Sequence, residues 1–153
     1  MANPFISMEV DESTTNVAEP LPELEEFAWD FEKNCFLRDV NGNLKTVYDN
    51  EALKVWIYKC LKSERYRYTC YIHGRQAEHC YYGVLLEKYI GKYPNNEATA
   101  MQIKKEIREA ILANPYVMTI NYIEIHELKK EKLILNMSLE SIYGELEIIE
   151  LTL

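Results

Sequence analysis

No stretch of this sequence approaches the roughly 18 consecutive apolar residues that a membrane-spanning helix needs. The opening Met1-Ala-Asn-Pro-Phe-Ile6 lacks a cationic region and a long apolar run, so it does not read as a secretory signal. Glycine and proline are scarce, five of each in 153 residues, which excludes collagen-like, mucin-like and wholly disordered chains. No repeat of solenoid length is present. There is no Gly-rich phosphate loop after a strand-like run, no Gly-x-Ser-x-Gly, and no His in an evident base position beside a Ser or Cys. The four cysteines, Cys35, Cys60, Cys70 and Cys80, read as thiols of a protein made in the cytoplasm, because a chain with 48% hydrophobic residues can build a core without disulfides.

Basic residues are also missing from one end. Nine acids lie between Glu9 and Glu32 with no base before Lys33, while the rest of the chain holds 16 acids against 17 bases. The net charge of −8 therefore belongs to an acidic leader and not to the body. A nearly neutral body leaves no footprint for nucleic acid and little to attract an anionic membrane. Residues 1–26 combine Asn, Ser, Thr, Pro and acids and read as an extended arm, with Phe5, Ile6 and Val10 as anchors for a partner. Residues 27–153 read as one domain.

Within that domain, Phe27-Ala-Trp29-Asp-Phe31 alternates as a half-buried strand does. Cys35 to Val40 and Leu44 to Tyr48 read as a hairpin around Asn41-Gly42-Asn43. Asp49-Asn50-Glu51 supplies a helix start with a polar cap, and Leu53, Trp56, Ile57, Cys60 and Leu61 form one helical stripe, with Trp56 a core aromatic. Ser63 to Tyr68 reads as extended, with Arg65 and Arg67 on one face and Tyr66 and Tyr68 on the other. Gly83 to Gly91 fits a short helix closed by glycine. Asn-capped residues after Pro94 open the longest helix, whose stripe is Ala100, Ile103, Ile107, Ala110 and Ile111, and Asn114-Pro115 stops it. Tyr116 to Leu128 and Leu133 to Tyr143 form a hairpin, with a parity change between Tyr122 and Ile123 that signals a bulge. After Gly144, Leu146 and Ile148 have one parity and Ile149, Leu151 and Leu153 the other. A regular strand there is apolar on both faces and calls for cover from a neighbour. The expected fold is α+β: a mixed or antiparallel sheet under two main helices.

Two constellations could carry chemistry. Cys70-x2-His73-x5-His79-Cys80 contains zinc-ligand types, but its spacing matches no finger or ribbon, so no metal and no cofactor are expected; a small zinc-binding adaptor is the weakest of three readings. Glu64 is the natural general acid of a glycosidase scheme, against which stands an ion pair with a nearby Arg. Glu64-Arg-Tyr-Arg-Tyr68 also has the composition of an interface, since Arg and Tyr are enriched at hot spots, and the chain holds 12 Tyr.

The order Ala52-Leu-Lys-Val-Trp-Ile-Tyr-Lys-Cys-Leu-Lys-Ser-Glu-Arg-Tyr-Arg-Tyr68, then Tyr82-Gly83-Val84, Ile90-Gly91-Lys92, Ile107-Arg-Glu-Ala-Ile-Leu112 and Ser141-Ile-Tyr-Gly-Glu145, closely resembles the XkdS-like baseplate proteins of contractile phage tails. These are similar to the myophage baseplate wedge protein, a sheath initiator that once carried a lysozyme label. The resemblance covers roughly residues 27–149, and Ile72 to Cys80 is lengthened relative to it. It implies a structural protein without turnover, in the tail baseplate of a phage or tailocin made in the bacterial cytoplasm. The implied partners are larger baseplate wedge proteins, sheath subunits and central tube or hub proteins in a sixfold assembly, and the first sheath ring would be templated by strand addition. The motif residues expected at interfaces or in structural roles are Trp56, Glu64, Arg65, Tyr66, Arg67, Tyr68, Tyr82, Gly83, Tyr143, Gly144, Ile148 and Leu151. The alternative function is a peptidoglycan-cleaving, lysozyme-like enzyme using Glu64.

Overall fold

The computed structural model describes residues 20–67, 82–86, 88–89, 97–129 and 132–153. In chain order the elements are β1 (Glu25–Phe27), β2 (Trp29–Asp30), β3 (Cys35–Phe36), β4 (Thr46–Tyr48), α1 (Asp49–Lys62), α2 (Glu97–Leu112), β5 (Val117–Lys129), β6 (Lys132–Ser141) and β7 (Gly144–Thr152). Among the described residues the strands pair antiparallel: β1 with β4, β2 with β3, and a three-stranded sheet in the order β5-β6-β7. A parallel bridge joins Glu64 to Val84. This is the expected small α+β domain, with the strands divided among three sheets.

The core lies between the three-stranded sheet and the two helices. Leu133, Leu135, Met137 and Leu139 alternate along β6 and are all 0% exposed, as period-2 patterning demands of a strand with one buried face. Leu53, Ile57, Cys60 and Leu61 of α1 and Ile103, Ile107, Ala110 and Ile111 of α2 meet them, so both helical stripes are found where the spacing places them except at Trp56 and Ala100, which are only half-buried. Trp56 packs against this cluster from its margin. At the end of α2, the Asn114 side chain accepts a hydrogen bond from the Tyr116 amide at 2.9 Å, turning the chain into β5.

Of the four register steps in this sheet, three between β5 and β6 and one between β6 and β7, two settle which side chains face inward. In β5 the register steps from Ile120 opposite Leu139 to Tyr122 opposite Ser138, so Asn121 is the extra residue and Ile120 and Ile123, three apart, are both buried. The expected parity change is real and falls one position earlier. In β7 the register steps from Met137 opposite Ile148 to Leu135 opposite Leu151, with Glu150 at φ 54° and its amide donating to the Asn136 side chain at 2.7 Å. The extra residue brings Leu146, Ile148 and Leu151 to one face, 8%, 1% and 5% exposed, and leaves Ile149 65% exposed. The expectation that this strand needs a neighbour to cover a second apolar face is corrected: the bulge resolves the parity conflict within the domain.

Other local expectations also need correction. The alternating run from Phe27 breaks into β1 and β2 around the buried Ala28, with Phe27 exposed. Gly42 turns the chain at φ 84°, but the hairpin it closes is only the Arg38–Leu44 bridge, and β4 pairs with β1. The N-cap of α1 is Tyr48, without a side-chain cap. Asn50 instead accepts from the Ser141 hydroxyl at 2.6 Å and donates to the Glu145 carbonyl at 3.3 Å, fastening the helix start to the β6–β7 turn. Residues 83–86 are not helical: Val84 is bridged, and Tyr89 closes a turn onto Leu86. Gly91 and the expected Asn cap before Glu97 lie outside the described residues. Residue 26, the expected end of the arm, falls inside β1, and the chain is already tied down at Leu24 and Pro22 by the Tyr143 and Tyr116 hydroxyls.

Candidate functional site

Where α1 ends, Ser63 to Arg65 run beside Gly83 and Val84. The Val84 amide donates to the Ser63 carbonyl at 3.0 Å and the Arg65 amide to the Val84 carbonyl at 3.2 Å. Gly83 has φ 87°, and a Cβ there would lie 2.8 Å from the Ser63 carbonyl oxygen, so only glycine fits this crossing. Its amide donates to the Cys60 thiol, which burial pushes up to about 11. Arg65 is 7% exposed; its Nε donates to the Gly83 carbonyl at 2.9 Å and its Nη1 stands 4.0 Å from Glu106. Glu106 also receives Lys88 at 2.9 Å, a hydrogen bond that raises the Lys88 pKa. Glu106 is a buried, paired carboxylate that the sequence reading missed, although it sits inside the α2 stripe, three residues after Ile103 and four before Ala110. A carboxylate at a stripe position is the signal of a buried ion pair.

The motif residues separate here. Tyr66 at φ 67° turns the chain, so Arg65 goes inward while Tyr66 and Arg67 are exposed, and the expected two-faced extended segment is corrected to a turn. Glu64 is paired with Arg67 at 3.3 Å. Tyr68 and the whole Cys70, His73, His79, Cys80 cluster lie outside the described residues. Among the described residues no group of three or more potential metal ligands converges. Tyr82 meets Trp56 edge to face at 5.6 Å. Tyr143 stacks on Tyr116 at 6.0 Å and, with Gly144 at φ 106°, makes the β6–β7 turn. Ile148 and Leu151 are core residues.

The outward side of α1 carries two adjoining depressions that share Tyr58 and Lys62. One, of about 510 Å³, runs from Phe31 and Lys54 to the outer edge of β7. Five consecutive residues, Ile148 to Thr152, line it, which identifies a strand's backbone edge and not one of its faces. The other, of about 530 Å³, reaches Trp29 and Phe36 of the β2–β3 ribbon. Lys54 sits 5.2 Å over the Phe31 ring and Lys62 5.6 Å over the Tyr58 ring. Lys59 is held by Glu26 at 2.6 Å. The outer face of the sheet is acidic in contrast: Tyr122 has its pKa raised, first by lost solvation and then by Glu147, Glu124 and Glu145.

This arrangement offers edges and rings to another chain and presents no assembled catalytic constellation among the described residues. The contractile injection system sheath initiator family matches residues 25–144. No curated protein matches the chain.

Proposed function

The chain belongs to the sheath initiator family and is a structural component of a contractile injection system; from that premise we propose that it acts in the baseplate wedge and templates the first sheath ring. In this reading it sits once per wedge in a sixfold baseplate, clamped by larger wedge proteins around the tube. The observation that carries it is the outer edge of β7: among the described residues no strand pairs with it, and it opens on the groove beside α1. An unpaired edge is a ready acceptor for an extended segment of a neighbour. The role read for the C-terminal strand changes accordingly, from one whose second apolar face a neighbour covers to one that stays in its own sheet and accepts a neighbour's strand at its edge.

The lysozyme-like alternative has no support in the site: Glu64 is engaged by Arg67, as a structural anion is. No helix among the described residues is long and apolar enough to cross a membrane.

Thr152 provides a clean test. Leu153 exchanges both backbone hydrogen bonds with Leu133, so the Thr152 amide points to the free edge, and its side chain is exposed. Thr152→Pro removes that donor without touching the core. The variant is expected to fold as wild type by circular dichroism while baseplates carrying it fail to nucleate sheath in electron micrographs. Normal sheath on such baseplates would sink the edge-templating reading.

A further inference from the structure

We propose that the acidic leader, residues 1–19, docks in cis along the outward side of α1, in the groove between Phe31, Lys54, Tyr58, Lys62 and the edge of β7. Charge is the first argument. Lys54 and Lys62 line this groove from α1, with Glu32 after β2 and Glu150 of β7 also in its lining, and among the described residues neither lysine forms an ion pair, so the α1 side is where an acidic segment would seat. The leader holds four acids, Glu9, Asp11, Glu12 and Glu19, and no base. Shape and apolar character agree with charge, since ring faces and the 65% exposed Ile149 border the groove while Phe5, Ile6 and Val10 precede or interrupt the leader's acids.

Geometry is the second argument. The Leu24 carbonyl accepts the amide of Asp49, the first residue of α1, at 3.2 Å, so the chain entering from Pro20 passes the start of the very helix along which the groove runs. Lys54 to Lys62 spans ~12 Å at about 1.5 Å per residue, and the leader can extend to roughly 60 Å at about 3.3 Å per residue. Tethering at that distance sets an effective concentration on the order of millimolar, so contacts too weak to hold a free peptide suffice in cis. Docking covers the outer edge of β7 with the chain's own segment. The leader must therefore leave this edge before a neighbour's segment can pair with it, and because the test below is made on the chain alone, its failure is distinguishable from failure of the sheath-templating reading.

The test uses the full-length chain. Zero-length carbodiimide cross-linking should join Glu9, Asp11 or Glu12 to Lys54 or Lys62 within the monomer band. Amide exchange by mass spectrometry should show residues 5–12 slowed by about tenfold or more relative to a free peptide of the same sequence. That protection should disappear in the double variant Lys54→Glu, Lys62→Glu, and in about 1 M salt, where screening shortens to about 3 Å. It should return when Glu9→Lys, Asp11→Lys and Glu12→Lys are added. Unchanged exchange in the β6 peptides serves as the control for folding. Free-peptide exchange rates in the wild type, protection insensitive to lysine reversal, or cross-links confined to a dimer band would each overturn docking in cis; the last would assign the groove to a second copy.

Discussion

The three-stranded sheet and the two N-terminal ribbons are both antiparallel, yet they are held by different forces. Strands β5, β6 and β7 run 13, 10 and 9 residues, and their inner side chains are sealed beneath α1 and α2. Strands β1 to β4 are two or three residues long, and Phe27 and Phe36 remain 48% and 45% exposed. Two-stranded ribbons of that length are marginal by burial alone. What secures them is directional: Asp39 accepts the Asn41 and Asn43 amides, Asp30 accepts those of Glu32 and Lys33, and Asn34 accepts the Tyr58 hydroxyl of α1 at 2.7 Å. Nonspecific burial therefore stabilises the sheet, while polar contacts and aromatic edges leave the ribbons and the groove beside them open to partners.

The sharpest way to break this comparison is to delete Ile148 to Leu153. Because Ile148 and Leu151 belong to the core, and a single large-to-small core change costs about 2–5 kcal/mol against a usual total of about 5–15 kcal/mol, the truncated chain should lose cooperative unfolding in circular dichroism. A soluble, cooperatively folded product would show that β7 is dispensable and that the bulge is not what buries it.

Gly83→Ala probes the seam between the two regions. A left-handed backbone and a Cβ 2.8 Å from a carbonyl oxygen predict a loss of about 1–3 kcal/mol in chemical denaturation. The same substitution at Gly144, which has nothing within 4 Å of its Cβ, carries the backbone cost without the collision. Equal losses at the two sites would refute the close approach at Gly83.

The smallest effect is the pH response of the ribbons. The Asp39 and Asp30 carboxyls lie below the ordinary value of 3.8, each chiefly because of a backbone amide, from Asn43 and from Lys33 respectively. A depressed carboxyl contributes its stability above the unfolded value and loses it as pH falls through the folded one. Asp39 is exposed and Asp30 half-buried in its own turn, and each bonds only to amides within four residues, so the effect is local. Acidification through and below the carboxylate range should speed amide exchange at Asn41 and Asn43 before it affects β6. Uniform loosening of ribbon and sheet would erase the distinction drawn here.

Sequence alone determined the parts whose order is local and periodic. The stripes of α1 and α2, the alternation of β6 and the stop at Asn114-Pro115 follow from side-chain spacing, because a helix or strand repeats its geometry every 3.6 or 2 residues whatever it packs against. Ordered motif blocks likewise pointed to the family that residues 25–144 match. Tertiary structure decided where periodicity fails. Whether Ile149 or Leu151 faces inward depends on one residue of slippage against Asn136, and that slippage is chosen by pairing with β6. Glu106 is tolerable in a buried stripe only because Arg65 and Lys88 arrive from a distant segment. Asn50, an apparent cap, is drawn instead to the β6–β7 turn. In each case the deciding partner is remote in sequence, and a local pattern holds no record of which distant group will satisfy a polar atom or set a register.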